Sequence, residues 1–344
     1  MKLKGKRIFV GLSGGVDSAV TAALLKEQGA DVVGVFIKGW YPPGMPCTWS
    51  EDRKDAMRVA AKLKVPFATL DASEDYKRGV IDYLLSEYRV GRTPNPDVMC
   101  NREVKFGAFY RFAKEKNADF IATGHYARTD EGTLLRGVDA AKDQSYFLWA
   151  VPKEALRMTL FPLGGLKKDV TRTLAQKYGL PNAAKKDSQG ICFLGSISIE
   201  DFLRSEFGST PGEALDTQGV VIGSHSGALL HTLGARVPLE NAQPGPWYVV
   251  RKDIKKNQLI VSKERNIGST AGSLLLTETN WLSDDTGGLL SAQFRYHGPL
   301  VEGTLSEDRK GFTPSLALPE PLASGQSLVL YRDEELLGGG ILTI

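Results

Sequence analysis

The sequence predicts a doubly wound α/β parallel sheet followed by an all-β region made of a small β module and a β-barrel. Three observations carry that reading. Apolar runs of strand length alternate with helix-period segments over the first half of the chain. A Ser-Gly-Gly turn follows the first of those runs directly. From Pro211 onward the texture changes to short β-rich runs separated by glycine-rich turns. At 344 residues the chain exceeds one typical core. The expected division is a catalytic domain over 1–195, a linker helix with a small β-rich domain over 196–270, and a barrel over 271–344.

Taken in order, Ile8 to Leu12 form a buried strand, and Val20, Ala23 and Leu24 recur on one face of a helix from Asp17 to about Gln28. Gly29 stops that helix. Asp31 to Ile37 is a second buried strand, followed by a Pro-, Gly- and Trp-containing loop over 39–50. Ala56, Val59, Ala60 and Leu63 mark a helix from Asp52, and Phe67 to Leu70 a third strand. Val80, Ile81, Leu84, Leu85 and Tyr88 give a third helix, Glu103 to Lys116 a fourth, and Phe120 to Thr123 one more strand. Helices are expected at Lys153 to Leu160 and Lys167 to Tyr178, the latter closed by Pro181. Ser198 and Asp201 resemble a capping box that opens a short helix through Phe207. Beyond it, Trp247 to Val250 and Gln258 to Val261 read as a hairpin. Ala292, Phe294 and Tyr296 alternate with Gln293 and Arg295, and strands at 327–331 and 341–344 finish the chain.

Composition is that of an ordinary globular chain, and a net charge of +3 permits a polyanionic partner without demanding one. With no signal peptide and no membrane-length apolar run, the expected location is the cytoplasm, with no membrane partner. Three widely spaced cysteines, Cys47, Cys100 and Cys192, argue against a disulfide framework and for reactive thiols.

The chemistry begins at Gly11-Leu12-Ser13-Gly14-Gly15-Val16-Asp17-Ser18. A strand, a tight glycine turn and a helix start place backbone N–H groups and the positive end of a helix against an anion. Ser13 and Ser18 add hydroxyls, and Asp17 is suited to a magnesium ion carried by phosphates. Neither G-x-x-x-x-G-K-[ST] nor G-x-G-x-x-G is present, so this is a phosphate cradle of another kind. By topology, Ile37 and Gly124 lie beside it, at the carboxyl ends of neighbouring strands.

A second stretch is Gly91-Arg-Thr-Pro-Asn-Pro-Asp-Val-Met-Cys-Asn-Arg102. Its prolines keep it extended until a helix starts, with Asp97 at or near the cap and Cys100 in the first turn. A thiol there gains acidity from the helix end and from Arg102, and Asp97 is near enough to carry protons. A third is Asp187-Ser-Gln-Gly-Ile-Cys-Phe193, where Cys192 sits between glycines near Lys185 and Lys186. Each cysteine alone also fits a buried filler.

The Ser-Gly-Gly-x-Asp-Ser turn resembles the pyrophosphate-binding loop of N-type ATP pyrophosphatases. In order and spacing, all three stretches resemble the tRNA-specific 2-thiouridylases (the MnmA family), as do Ala122 to Tyr126, Lys142 to Phe147, His231 to Gly234 and Gly338 to Gly340. The resemblance runs nearly end to end. It implies a tRNA-uridine 2-sulfurtransferase using ATP and Mg2+. Asn95, Pro96 and Asp97 would bind the wobble uridine, with Lys142, Asp143, Gln144, His125, Arg295, Tyr296 and Gln326 on the tRNA. Cys192 would carry a persulfide loaded by a donor such as a cysteine desulfurase or sulfur relay protein. Cys100 would take the sulfur transiently or close a disulfide with Cys192. A second arrangement has Asp97, Cys100 and Cys192 holding an iron–sulfur cluster; no other metal site is expected. Departures from the family are Ala235-Arg-Val-Pro after His231-Thr-Leu-Gly, and Leu336 where a cysteine often stands.

Competing readings are a tRNA 4-thiouridine or lysidine synthetase-like enzyme, which shares the cradle, and a non-catalytic ATP-binding sensor. Adenylating synthetases that use amines need no cysteine pair, and a sensor would need none of Asp97, Cys100 and Cys192.

Overall fold

The computed structural model describes residues 2–42, 49–187, 198–264, 272–318 and 322–344. Cys47 and Cys192 lie outside the described residues. The first half is built on β1 (Arg7–Gly11), β2 (Asp31–Lys38), β3 (Phe67–Asp71), β4 (Phe120–Ala122), a hairpin of β5 (Ala127–Asp130) and β6 (Thr133–Arg136), and β7 (Thr159–Leu160). Five of these make one parallel sheet in the order β3-β2-β1-β4-β7. Its strands read as apolar runs because both faces are covered. Helices α1 (Val16–Glu27) and α2 (Trp49–Leu63) are joined by two long helical runs and two shorter helices. The first run is α3 (Ser73–Tyr76), wide π-type turns and α4 (Tyr83–Arg89). The second is α5 (Pro96–Met99), π-type turns over Cys100–Ala108 and α6 (Phe109–Glu115). Then come α7 (Lys153–Arg157) and α8 (Lys168–Lys177). Chain order reverses at β1, with β2 on one side and β4 on the other, so the crevice for a ligand opens beyond their carboxyl ends.

Helix α9 (Ile199–Phe207) is capped as expected: Ser198 Oγ accepts from Asp201 N at 3.1 Å and donates to Asp201 Oδ2 at 2.7 Å. A four-stranded sheet follows, from β8 (Gly212–Leu215), β9 (Val221–His225), β10 (Tyr248–Asp253) and β11 (Gln258–Ser262), the last two forming the expected hairpin. Strands β12 (Leu274–Trp281), β13 (Leu289–Gln293), β14 (Leu300–Leu305), β15 (Gly311–Pro314), β16 (Ser327–Arg332) and β17 (Glu335–Thr343) then close a six-stranded antiparallel barrel, because β12 pairs with both β15 and β17.

Four details differ from the sequence reading. The helix expected to reach Leu160 stops at Arg157, and Thr159–Leu160 is an edge strand of the parallel sheet. The helix expected from Glu103 begins at Pro96, because Asn95 caps it. The strand alternation through Tyr296 ends at Gln293, leaving Arg295 and Tyr296 in the following turn. The β5–β6 hairpin had no counterpart in the sequence reading. It leaves the parallel sheet and pairs with β17, so the first half lends two strands to the barrel sheet. One core runs through the junction, with Leu134 and Trp149 packed with Val329, Tyr331 and Leu336. Leu336 fills that core, and Gly339 lies where a side chain would press on the Trp149 ring, 3.1 Å from an ideal Cβ. Among the described residues no helix is long and apolar enough to cross a membrane.

Candidate active site

The cradle forms where β1 ends. Leu12 and Val16 are buried and anchor the turn from either side, while Ser13, Gly14 and Gly15 supply its backbone. Gly14 has φ +79°, and a Cβ there would lie 2.5 Å from the carbonyl oxygen of Asp52, so only glycine lets α2 pack this close. Two hydroxyls tie the turn: Ser13 N donates to Ser18 Oγ at 3.2 Å and Gly15 N to Ser13 Oγ at 3.3 Å. Asn182 donates to Gly14 O at 2.9 Å. Gly15 caps α1 without a side-chain acceptor, so the first N–H groups of that helix face the crevice. A Cβ at Gly124 would come within 2.8 Å of Ser18 N and 2.9 Å of the Asp17 carbonyl carbon. The end of β4 thus presses on the start of α1, and Ile37 closes the other side, its Cδ1 3.7 Å from an ideal Cβ on Gly11.

Asp17, partly exposed, is held by two side chains. Lys168 Nζ lies 2.7 Å from both of its oxygens, and Tyr126 donates to Oδ1 at 3.0 Å. Lys168, only 13% exposed, also reaches Asp187 at 3.0 Å. Lys142 and Arg172 meet the same Asp187 carboxylate at 3.1 and 2.7 Å. Burial would raise the Asp187 pKa, but the hydrogen bonds from Lys168 and Lys142 outweigh it and hold the carboxyl below its usual range. Three cations therefore gather beside a cradle whose own sequence contains no lysine. The sequence reading gave Lys168 no role. A signal existed: a lysine in the first turn of a helix opposes the helix dipole and calls for an anionic partner.

The segment expected to take the acceptor is Gly91–Cys100. Asn95 Oδ1 accepts from Asp97 N at 3.1 Å and from Val98 N at 3.3 Å, which fixes the start of α5 with Pro96 at its first position. Asp97 lies near the cap as expected, two residues inside it, whereas Cys100, 5% exposed, stands in the second turn and not the first. The helix-end field falls off within the first turn, so it contributes less at Cys100 than the sequence suggested. Arg102 also turns away, to Glu103 at 2.7 Å and to Glu278 of the barrel at 3.3 Å. Desolvation raises the Asp97 pKa, partly offset by Lys105.

The same helix links both sides of the crevice. Phe109 lies 3.6 Å from an ideal Cβ on Gly11, under the cradle, and Phe106 packs on His125 at 5.7 Å between ring centroids. His125 is 8% exposed; Thr123 Oγ1 lies 2.7 Å from its Nδ1. Desolvation and then Lys105 hold its pKa well below 6.5, so it is a neutral wall of the site with little surface for RNA.

Around the mouth, Lys142 is engaged with Asp187, and Gln144 Oε1 accepts from Tyr126 N at 3.1 Å. Asp143 faces inward, accepting from Arg136 at 3.2 Å, Gly137 N at 2.9 Å, and Ser145 N and Oγ at 3.1 and 3.0 Å. That coordination makes Asp143 an organiser of the junction, not an exposed RNA contact. Tyr296 packs on Phe147 at 4.5 Å between centroids with the rings tilted by 45°, and Gln326 Oε1 accepts from Ala323 N at 2.9 Å. Among the described residues no group of three His, Cys, Asp or Glu side chains converges to hold a metal.

A glycine cradle at the switch point of a parallel sheet, followed by two β modules, defines a nucleotide-dependent enzyme with appended recognition domains. Family models match in the same order: a tRNA methyl transferase HUP domain over 6–196, a tRNA methyl transferase PRC-barrel domain over 200–263, and an aminomethyltransferase β-barrel domain over 271–342. The tRNA-specific 2-thiouridylase MnmA of Pseudomonas syringae pv. syringae is 43% identical over 357 residues, covering 98% of this chain and 94% of that protein. That of Pseudomonas fluorescens is 42% identical over 355 residues, covering 98% and 95%. Among solved structures, the U34-tRNA thiolase NcsA from Methanococcus maripaludis, with its [4Fe-4S] cluster, aligns at TM-score 0.38 and 16% identity over 60% of this chain and 68% of that one. The chain belongs to the tRNA-specific 2-thiouridylase MnmA family.

Proposed function

We propose that this chain is an ATP-dependent tRNA-uridine 2-sulfurtransferase that replaces the C2 oxygen of the wobble uridine with sulfur. The observation that carries the reading is the helix that bears Asp97 and Cys100 at one end and runs beneath the nucleotide cradle at Phe109. The triphosphate of ATP, with its Mg2+, lies on the N–H groups of residues 11–18, with Lys168 matched to the phosphate charge and Ile37 and Gly124 beside the adenosine. The uridine C2 oxygen attacks the α-phosphorus, the bond to the β-phosphate breaks, and pyrophosphate leaves. C2 then carries AMP as a leaving group.

Cys192, charged as a persulfide by a cysteine desulfurase or relay protein, attacks C2 through its terminal sulfur and displaces AMP. Cys100 then either closes a disulfide with Cys192, releasing the thiocarbonyl and leaving a bond for an external thiol to reduce, or carries the sulfur transiently. Asp97, with its raised pKa, moves the protons. The iron–sulfur alternative needs Cys192, outside the described residues, and no step is routed through a cluster. Residues 1–195 carry the chemistry in this scheme, while 196–270 and 271–344 hold the tRNA. The enzyme works in the cytoplasm, where tRNA and ATP are found.

The test is nucleoside analysis of tRNA incubated with protein, ATP, magnesium and a persulfide donor. Wild type forms 2-thiouridine, while Cys100→Ser and Cys192→Ser fall at least about a thousandfold and still bind ATP. ATP cleavage to AMP and pyrophosphate without a thionucleoside would mean a different acceptor.

A further inference from the structure

The barrel and the catalytic helix meet at one short turn. Tyr146 stands in that 3-10 turn, over Ser145–Leu148, is 3% exposed, and lies in the shared core. Its Oη is 3.1 Å from Phe294 O and 3.1 Å from Ser327 O, both in the barrel, and its single proton goes to one of the two carbonyls. The next residue of the turn ties it to the helix: Phe147 O accepts from Asn101 Nδ2 at 3.0 Å, one residue after Cys100.

The three partners of this turn are adjacent in sequence to three residues or segments that the functional reading uses. Phe294 precedes Arg295 and Tyr296, Ser327 follows Gln326, and Asn101 follows Cys100. The same junction is tight beside this hydroxyl. Thr93 N donates to Ser324 O at 2.8 Å, and a Cβ on Gly325, whose φ is +92°, would sit 2.9 Å from Thr93 N. We propose that Tyr146 is a positioning residue, whose hydroxyl sets the barrel's RNA-contact residues in register with the helix that carries Asp97 and Cys100. This rests on the thiolation reading above. The hydroxyl touches no reacting atom. It acts by fixing the turn that holds Asn101 of that helix relative to two strand ends of the barrel, and a misplacement of about 1 Å is enough to lower a rate.

The test compares Tyr146→Phe with Tyr331→Phe. Tyr331 is an equally buried phenol on β16 whose hydroxyl lies 3.3 Å from Ser145 Oγ and meets none of the three segments. In steady-state thiolation, Tyr146→Phe lowers kcat/KM for tRNA about tenfold, while the dissociation constant for ATP and the thermal midpoint match those of Tyr331→Phe. Tyr331→Phe keeps kcat/KM for tRNA within about twofold. Gly325→Ala, which disturbs the junction from the barrel side, gives the same tRNA-specific loss and serves if Tyr146→Phe folds poorly. Equal kcat/KM for wild type, Tyr146→Phe and Gly325→Ala, or an equal loss in Tyr146→Phe and Tyr331→Phe, overturns the assignment. Wild-type protein that makes no thionucleoside overturns the functional reading and this one with it; wild-type thiolation with an unaffected Tyr146→Phe overturns only the role of Tyr146.

Discussion

The nucleotide cradle and the acceptor face are built by opposite means. The cradle comes from eight consecutive residues, and most of what it offers a ligand is backbone: N–H groups of a glycine turn and of a helix start. Tertiary structure adds a few supports, chiefly Asn182 on Gly14 and the close approach of Gly124. The face proposed for the acceptor is assembled from residues near 95, 142–147, 294–296 and 326, with a side-chain hydrogen bond and a ring contact crossing the barrel junction. A site made of local backbone tolerates changes around it. A site made of distant segments depends on every contact that holds them in register.

The largest effect that would sharpen this contrast is at Lys168, the long-range cation of an otherwise local cradle. Lys168→Ala lowers ATP-dependent pyrophosphate release about a hundredfold and leaves tRNA binding intact, as kinetics and a filter-binding assay would read separately. It also leaves Asp17 and Asp187 with one cation fewer in a partly buried setting, which costs about 1–3 kcal/mol in denaturant unfolding. Weakened tRNA binding with normal pyrophosphate release would instead assign Lys168 to the acceptor face and break the comparison.

A smaller and oppositely signed pair of effects is expected at Asp97. Its pKa is raised in the folded protein by desolvation, so the ionised form is disfavoured there, and that cost is present once the pH exceeds the folded-state value. Asp97→Asn therefore stabilises the protein at neutral pH, while thiolation falls at least about tenfold. A variant that is active and no more stable would deny Asp97 both its strain and its role.

The smallest effect at working pH is a slope in stability on the acid side. His125 and His231 both have pKa values lowered by burial, His231 to about 4. The unfolded chain thus binds more protons below about pH 6.5, so stability is complete above that pH and is lost as the pH falls towards 4. The thermal midpoint should fall over that window, and His231→Gln should flatten the slope. A flat profile between pH 7 and 4.5 would mean that these histidines are not buried neutral.

The cradle was legible because its function lies in a strand-turn-helix sequence with glycine at fixed places. The parallel sheet was legible too, since strands covered on both faces show as apolar runs. Strand β7 was not, because two residues continuing a helix period carry no strand signal of their own. The β5–β6 hairpin was missed for a related reason. Arg128, Thr129 and Asp130 show no alternation, since the hairpin's place is set by pairing with β17, about 200 residues later. Asp143 was legible as a motif residue but not by role, because its four hydrogen bonds come from folded neighbours.

By itself the sequence determined the class of fold, the phosphate cradle, and the residue types that sulfur transfer to an activated carbonyl would need. These are local matters of periodicity, glycine placement and side-chain chemistry. Only the tertiary structure decided that Lys168 lies beside the cradle against Asp17, that His125 is a buried neutral wall, and that Asp143 faces inward. It alone put Tyr146 between the barrel and the catalytic helix. Each of those roles depends on burial and on partners far away in the chain, and neither has any signature in the spacing of nearby residues.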